Sequence, residues 1–192
     1  MAKLESGRLG LEIRFIELDT NNWIQYEIRF LYDDEPLMAD GPLKRENEHW
    51  QKRSPGAFKA NQYERDGFIP TLRRALETDE VSSFTPIDPD VTFVVYPRRV
   101  FPLLSHIREP DLDDEEVADR ELVREVAGGQ LLSDVFTIIF MVDVYNYTGT
   151  WVYSGQGPAL ILLTHRSEVR EFLNQLEAEY AEFCARWGVS QA

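Results

Sequence analysis

Hydrophobic positions recur with a period of two near the start of this chain and of three to four near its end. Leu9, Leu11, Ile13 and Phe15 alternate with Gly10, Glu12 and Arg14, and Ile24, Tyr26, Ile28 and Phe30 alternate with Gln25, Glu27 and Arg29. Successive side chains of a strand point to opposite faces, so these runs predict a hairpin with one buried and one wet face, turning at Asp19, Thr20, Asn21 and Asn22. Val91 to Tyr96 is a short apolar run fenced by Pro89 and Pro97 and suits a buried strand. Between them, Asp66 to Thr78 has helical spacing, with Phe68, Ile69, Leu72 and Leu76 on one face and Arg73 and Arg74 outside it.

The last third is the most legible. Val135 to Val144 is almost continuously apolar and rich in β-branched and aromatic residues, which favours a buried strand. Asn146 to Gly149 is a turn, Trp151 to Tyr153 a short strand, Ser154 to Pro158 a turn and Ala159 to Leu163 a further strand. Connections this short imply antiparallel pairing. Thr164 then stands as an N-cap. Val169, Phe172, Leu173, Leu176, Tyr180, Phe183, Cys184 and Trp187 form one apolar stripe of a helix. Glu168, Glu171, Glu177, Glu179 and Glu182 mostly fill its other side, and Gly188 is the stop. The expected fold is α+β. A mainly antiparallel sheet of five to six strands, an N-terminal hairpin plus a C-terminal meander, is covered by the C-terminal helix and one or two others. No internal repeat is visible.

At 192 residues and 43% hydrophobic content the chain can bury a substantial core. A single domain, 1–192, with an acidic loop insertion at 109–129, is expected. Its longest apolar stretch, about ten residues, falls far short of the roughly twenty that span a bilayer. The start lacks a basic segment followed by an apolar one, so the reading is of a cytoplasmic protein, with no secretory signal and no membrane association. Cys184, the single cysteine, cannot form an intramolecular disulfide, and its place on the helix stripe makes it a core residue. Asn146, Tyr147 and Thr148 match a glycosylation sequon but read as a polar turn.

Charge sharpens the picture. The chain carries 34 acidic and 20 basic residues, a net of −14, which argues against general attraction to nucleic acid or anionic membrane. Between Glu109 and Ala127 nine acids face only Arg120 and Arg124, a local net of −7. Lys44 to Arg74 holds eight bases and four acids, a local net of +4. The acidic run fails as a calcium loop. Asp111, Asp113 and Glu115 alternate correctly, but Glu116 stands where the sharp turn needs Gly and Leu122 where a bidentate acid is required. As a contact for a basic protein it is physically sound, since clustered charge of one sign speeds association and selects an opposite surface.

Catalytic and metal motifs are weaker. His106 with Glu109, and His165 with Glu168, have the spacing of one helical face, and His49 adjoins Glu48, but a metal site needs such sets to converge. Near the start of the last helix, Glu168 complements the helix dipole without any catalytic role. The glycine-rich Ser154–Gly155–Gln156–Gly157–Pro158 loop joins two strands, whereas phosphate cradles end in a helix N-terminus. Ser154 also lacks the flanking glycines of a nucleophile elbow. No cofactor or metal is expected, and the sequence leaves oligomeric state open.

Two functions follow as expectations. In size, charge and α+β style the chain is similar to the small acidic immunity proteins of toxin systems. The acidic surface reads as that of a non-catalytic binding protein of this kind; the acidic run supplies Asp111, Asp113, Asp114, Glu115 and Glu116 to engage a basic protein, and Trp151 and Tyr153 are candidate aromatic contacts. The alternative is a hydrolase working through paired carboxylates in a cleft. Its candidates are Asp88, Asp90 and Asp143, of which Asp143 is the best placed, because burial in an apolar strand would raise its pKa.

Overall fold

The computed structural model describes residues 1–18, 23–37, 57–59, 67–85, 91–98, 134–142 and 157–189. The expected hairpin is present and is extended by a strand that the sequence did not announce. Strands β1 (Ala2–Ser6), β2 (Leu9–Leu18) and β3 (Trp23–Tyr32) form an antiparallel meander. On the far edge of β3 pair two short pieces, β4 (Glu35–Pro36) and β5 (Ala57–Lys59). We call this sheet A. The β1–β2 loop is two residues long, and Gly7 supplies the positive φ (59°) that such a loop needs at its first position.

Helix α1 (Phe68–Thr78) follows, and it buries Phe68, Ile69, Thr71, Leu72, Ala75 and Leu76 while Arg73 and Arg74 stay exposed. Pro70 lies in its first turn, where the missing N–H costs no helical bond. Strands β6 (Ser82–Phe84), β7 (Val91–Pro97), β8 (Val135–Val142) and β9 (Ala159–His165) then make a second antiparallel sheet, B, in chain order. Helix α2 (Arg166–Trp187) closes the described chain.

The expectation of one sheet of five to six strands is thereby corrected. An α+β fold it is, but with two antiparallel sheets, each followed by a helix. The two lie edge to edge where β1 runs beside β9, and the Ser6 hydroxyl donates to the Leu163 carbonyl. The sequence pattern missed this because β1 and β6 are three to five residues long, too short to show a period.

The described chain thus runs twice through an antiparallel sheet and a helix, with five strands in the first sheet and four in the second, and the helices cross over. Helix α1, which follows sheet A, packs on β6 and β7 of sheet B, and α2, which follows sheet B, packs on β1 and β2 of sheet A. This relation is a repeat of topology that no sequence repeat accompanies. The buried faces of both sheets and both helices form one continuous cluster.

Phe68, the first residue of α1 and fully buried, is its hub, with ring centroids 5.2 Å from Tyr26, 5.1 Å from Phe84, 5.6 Å from Phe93 and 5.7 Å from Phe140. The edge-to-face arrangement with Tyr26, Phe84 and Phe93 is the one that ring quadrupoles favour. Arg166 ties the two helices together: it donates to the Leu76 carbonyl (2.9 Å) and to Asp79, and lies 5.1 Å over the Phe136 ring.

Two smaller corrections concern α2. Thr164 belongs to β9, and His165 is the N-cap. Trp187, expected on the core stripe, is 41% exposed at the last turn, with its ring 6.5 Å from that of Phe183. Cys184 is buried, as its position on the stripe requires.

Candidate interaction surface

Each sheet turns one face to the shared core, and the outward faces differ in kind. On sheet A, two rows pair charges of opposite sign across the strands, while the row nearest the β3–β4 turn runs Glu5, Gly10, Leu31, Pro36 with Leu31 buried. Lys3 faces Glu12, Glu12 faces Arg29, and Arg14 faces Glu27. Arg29 also bonds Glu27 along its own strand at 2.9 Å. Opposed charges on neighbouring strands are mildly stabilising and keep the face wet.

On sheet B three rows carry no charge, and a fourth pairs Val135 with the exposed His165. One row runs Ser83, Val94, Ile139, Ile161; the next Tyr96, Thr137, Leu163; the third Thr92, Met141, Ala159. Ile161 and Leu163 are 41% and 50% exposed, among the most exposed large hydrophobic side chains described. Toward the middle, Val94, Ile139 and Met141 are half-buried, and Thr137 is buried. Because both sheets serve the same topology, the fold itself does not demand an uncharged outer face. Sheet A shows that a charged one suffices.

The charge along the chain also differs. From residue 81 onward, the part that builds sheet B and α2, there are 18 acids, 8 arginines and no lysine, a net of −10; the first 80 residues have 16 acids and 12 bases, a net of −4. Two of those eight arginines, Arg98 and Arg166, are held by the Asp79 carboxylate. Of those 18 acids, six belong to the described residues: Asp134, Glu168, Glu171, Glu177, Glu179 and Glu182.

A second polar feature lies at the turn end of sheet A. Asp33 and Asp34 both adopt positive φ (50° and 65°) in the β3–β4 turn. Arg8 grips Asp33 with two donors and stacks 4.3 Å over Tyr32, while Lys3 bonds Glu5 and Asp34, each at 2.6 Å. The guanidinium holds the Asp33 carboxyl below its ordinary range, and the bonds from Asp34 and Glu5 raise the Lys3 ammonium. A shallow depression of about 130 Å³ opens there, lined by Glu5, Arg8, Asp33 and Asp34 among others. Its charges satisfy one another, so it fastens two turns and offers no free group to a ligand.

The sequence-derived candidates fare unevenly. Asp111, Asp113, Asp114, Glu115, Glu116, Trp151 and Tyr153 lie outside the described residues, as do the 109–129 insertion, Asp88, Asp90, Asp143, His49 and His106. His165 and Glu168 are described and have a structural task. The Glu168 carboxylate accepts the Thr164 hydroxyl and the His165 backbone N–H (2.8 Å), which caps α2 and lowers its pKa, the hydroxyl bond contributing most. Among the described residues no group of three His, Cys, Asp or Glu side chains could hold a metal, and no helix is long and apolar enough to cross a membrane. No protein-family model, curated protein or solved structure matches the chain.

Sequence reasoning missed the sheet B face, although a signal was present. Val135 to Val142 and Ala159 to Leu163 show no alternation, the mark of a strand buried on both sides, yet they are strands of an antiparallel sheet that normally wets one side. The mismatch between pattern and topology is the clue.

Proposed function

We propose that this chain is a non-catalytic binding protein of the immunity or inhibitor kind, acting in the cytoplasm on a basic protein partner rather than on membrane or nucleic acid. The observation that carries this reading is the charge distribution. Nine acids against two arginines between Glu109 and Ala127 lie within a chain of net −14. A field of that sign accelerates encounter with a cationic surface and repels nucleic acid and anionic lipid. Asp111, Asp113, Asp114, Glu115 and Glu116 supply the charge, and Trp151 and Tyr153 the aromatic contacts.

The test is titration of the full chain with a 14-residue oligolysine at low and high salt, beside a variant in which Asp113, Asp114, Glu115 and Glu116 become Asn or Gln. The reading expects binding at low salt that falls steeply with ionic strength and weakens at least tenfold in the variant, with unchanged circular dichroism. Equal affinity of the two proteins would remove the acidic segment from the account.

A further inference from the structure

We draw no further inference here: the strongest candidate, the outer face of sheet B where Ile161 and Leu163 stand exposed on β9, carries nothing because nothing in the structure shows what covers it.

Discussion

Sheet A and sheet B are built to one plan and finished differently on the outside. Both are antiparallel meanders with an apolar inner face, both are followed by a helix, and each helix crosses to cover the other sheet. Sheet A's outer face then reads Lys3–Glu12–Arg29 and Arg14–Glu27, the solvated solution. Sheet B's reads Val94–Ile139–Ile161 and Tyr96–Thr137–Leu163. Inner faces are constrained by packing and so resemble each other. Outer faces are free of that constraint, and here one carries two rows of paired charges and the other three uncharged rows.

The largest expected effect breaks what the two halves share. Phe68→Ala empties the point where both sheets meet α1, and loss of a fully buried phenylalanine costs about 3–5 kcal/mol. Because the ring touches Tyr26 of sheet A as well as Phe93 and Phe140 of sheet B, denaturant unfolding should remain a single transition shifted to lower concentration. A loss confined to one half, seen as two separate transitions, would mean the halves do not share a core.

Next in size is the link between the helices. Arg166→Ala removes bonds to the Leu76 carbonyl and to Asp79 and the stacking on Phe136, and should lower stability by about 1–3 kcal/mol. Arg166→Lys should recover only part, since lysine lacks the fork that reaches both acceptors. Full recovery in thermal unfolding would reduce the link to simple charge.

Within sheet A, Asp34→Gly should stabilise by about 0.5 kcal/mol. Glycine takes the positive φ of 65° without a Cβ penalty, and the exposed ion pair to Lys3 that it removes contributes little. A net loss in chemical denaturation would show that the Lys3–Asp34 pair matters more than the backbone.

The smallest effect is a pH dependence at the α2 cap. The Glu168 pKa is lower in the folded chain than in the unfolded one, so its contribution is present above the ordinary carboxylate range and disappears as pH falls through the folded value. The side chain is largely solvent-exposed, and screening keeps the effect to a fraction of a kcal/mol. Glu168→Gln should flatten the pH dependence of stability slightly below pH ~4.5; an unchanged profile would place the acid sensitivity elsewhere.

Much of this fold was written in residue spacing. The β2–β3 hairpin and both helices follow from periods of two and of three to four, and β7, β8 and β9 from short apolar runs rich in β-branched or aliphatic residues. The edge strands β1, β4, β5 and β6 were invisible, being two to five residues long and held by pairing with longer neighbours rather than by a pattern of their own. The crossing of the helices was illegible for a related reason: a stripe such as Phe172, Leu176 and Phe183 shows that a sheet is covered, and says nothing of which sheet. Of the candidate surface, every residue type was in view, yet Ile161 and Leu163 read only as part of a strand, with no pattern to say which of its faces is open. Only the register of β8 with β9 shows that they face outward.

The most direct test sets the acidic run against the paired charges of sheet A with one ligand. Affinity for the 14-residue oligolysine is measured by titration calorimetry for the parent, for the variant with Asp113, Asp114, Glu115 and Glu116 neutralised, and for Glu12→Ala with Arg29→Ala on sheet A. The account predicts at least a tenfold loss for the first variant and less than twofold for the second. Equal losses from the two, or a loss only from sheet A, would contradict it.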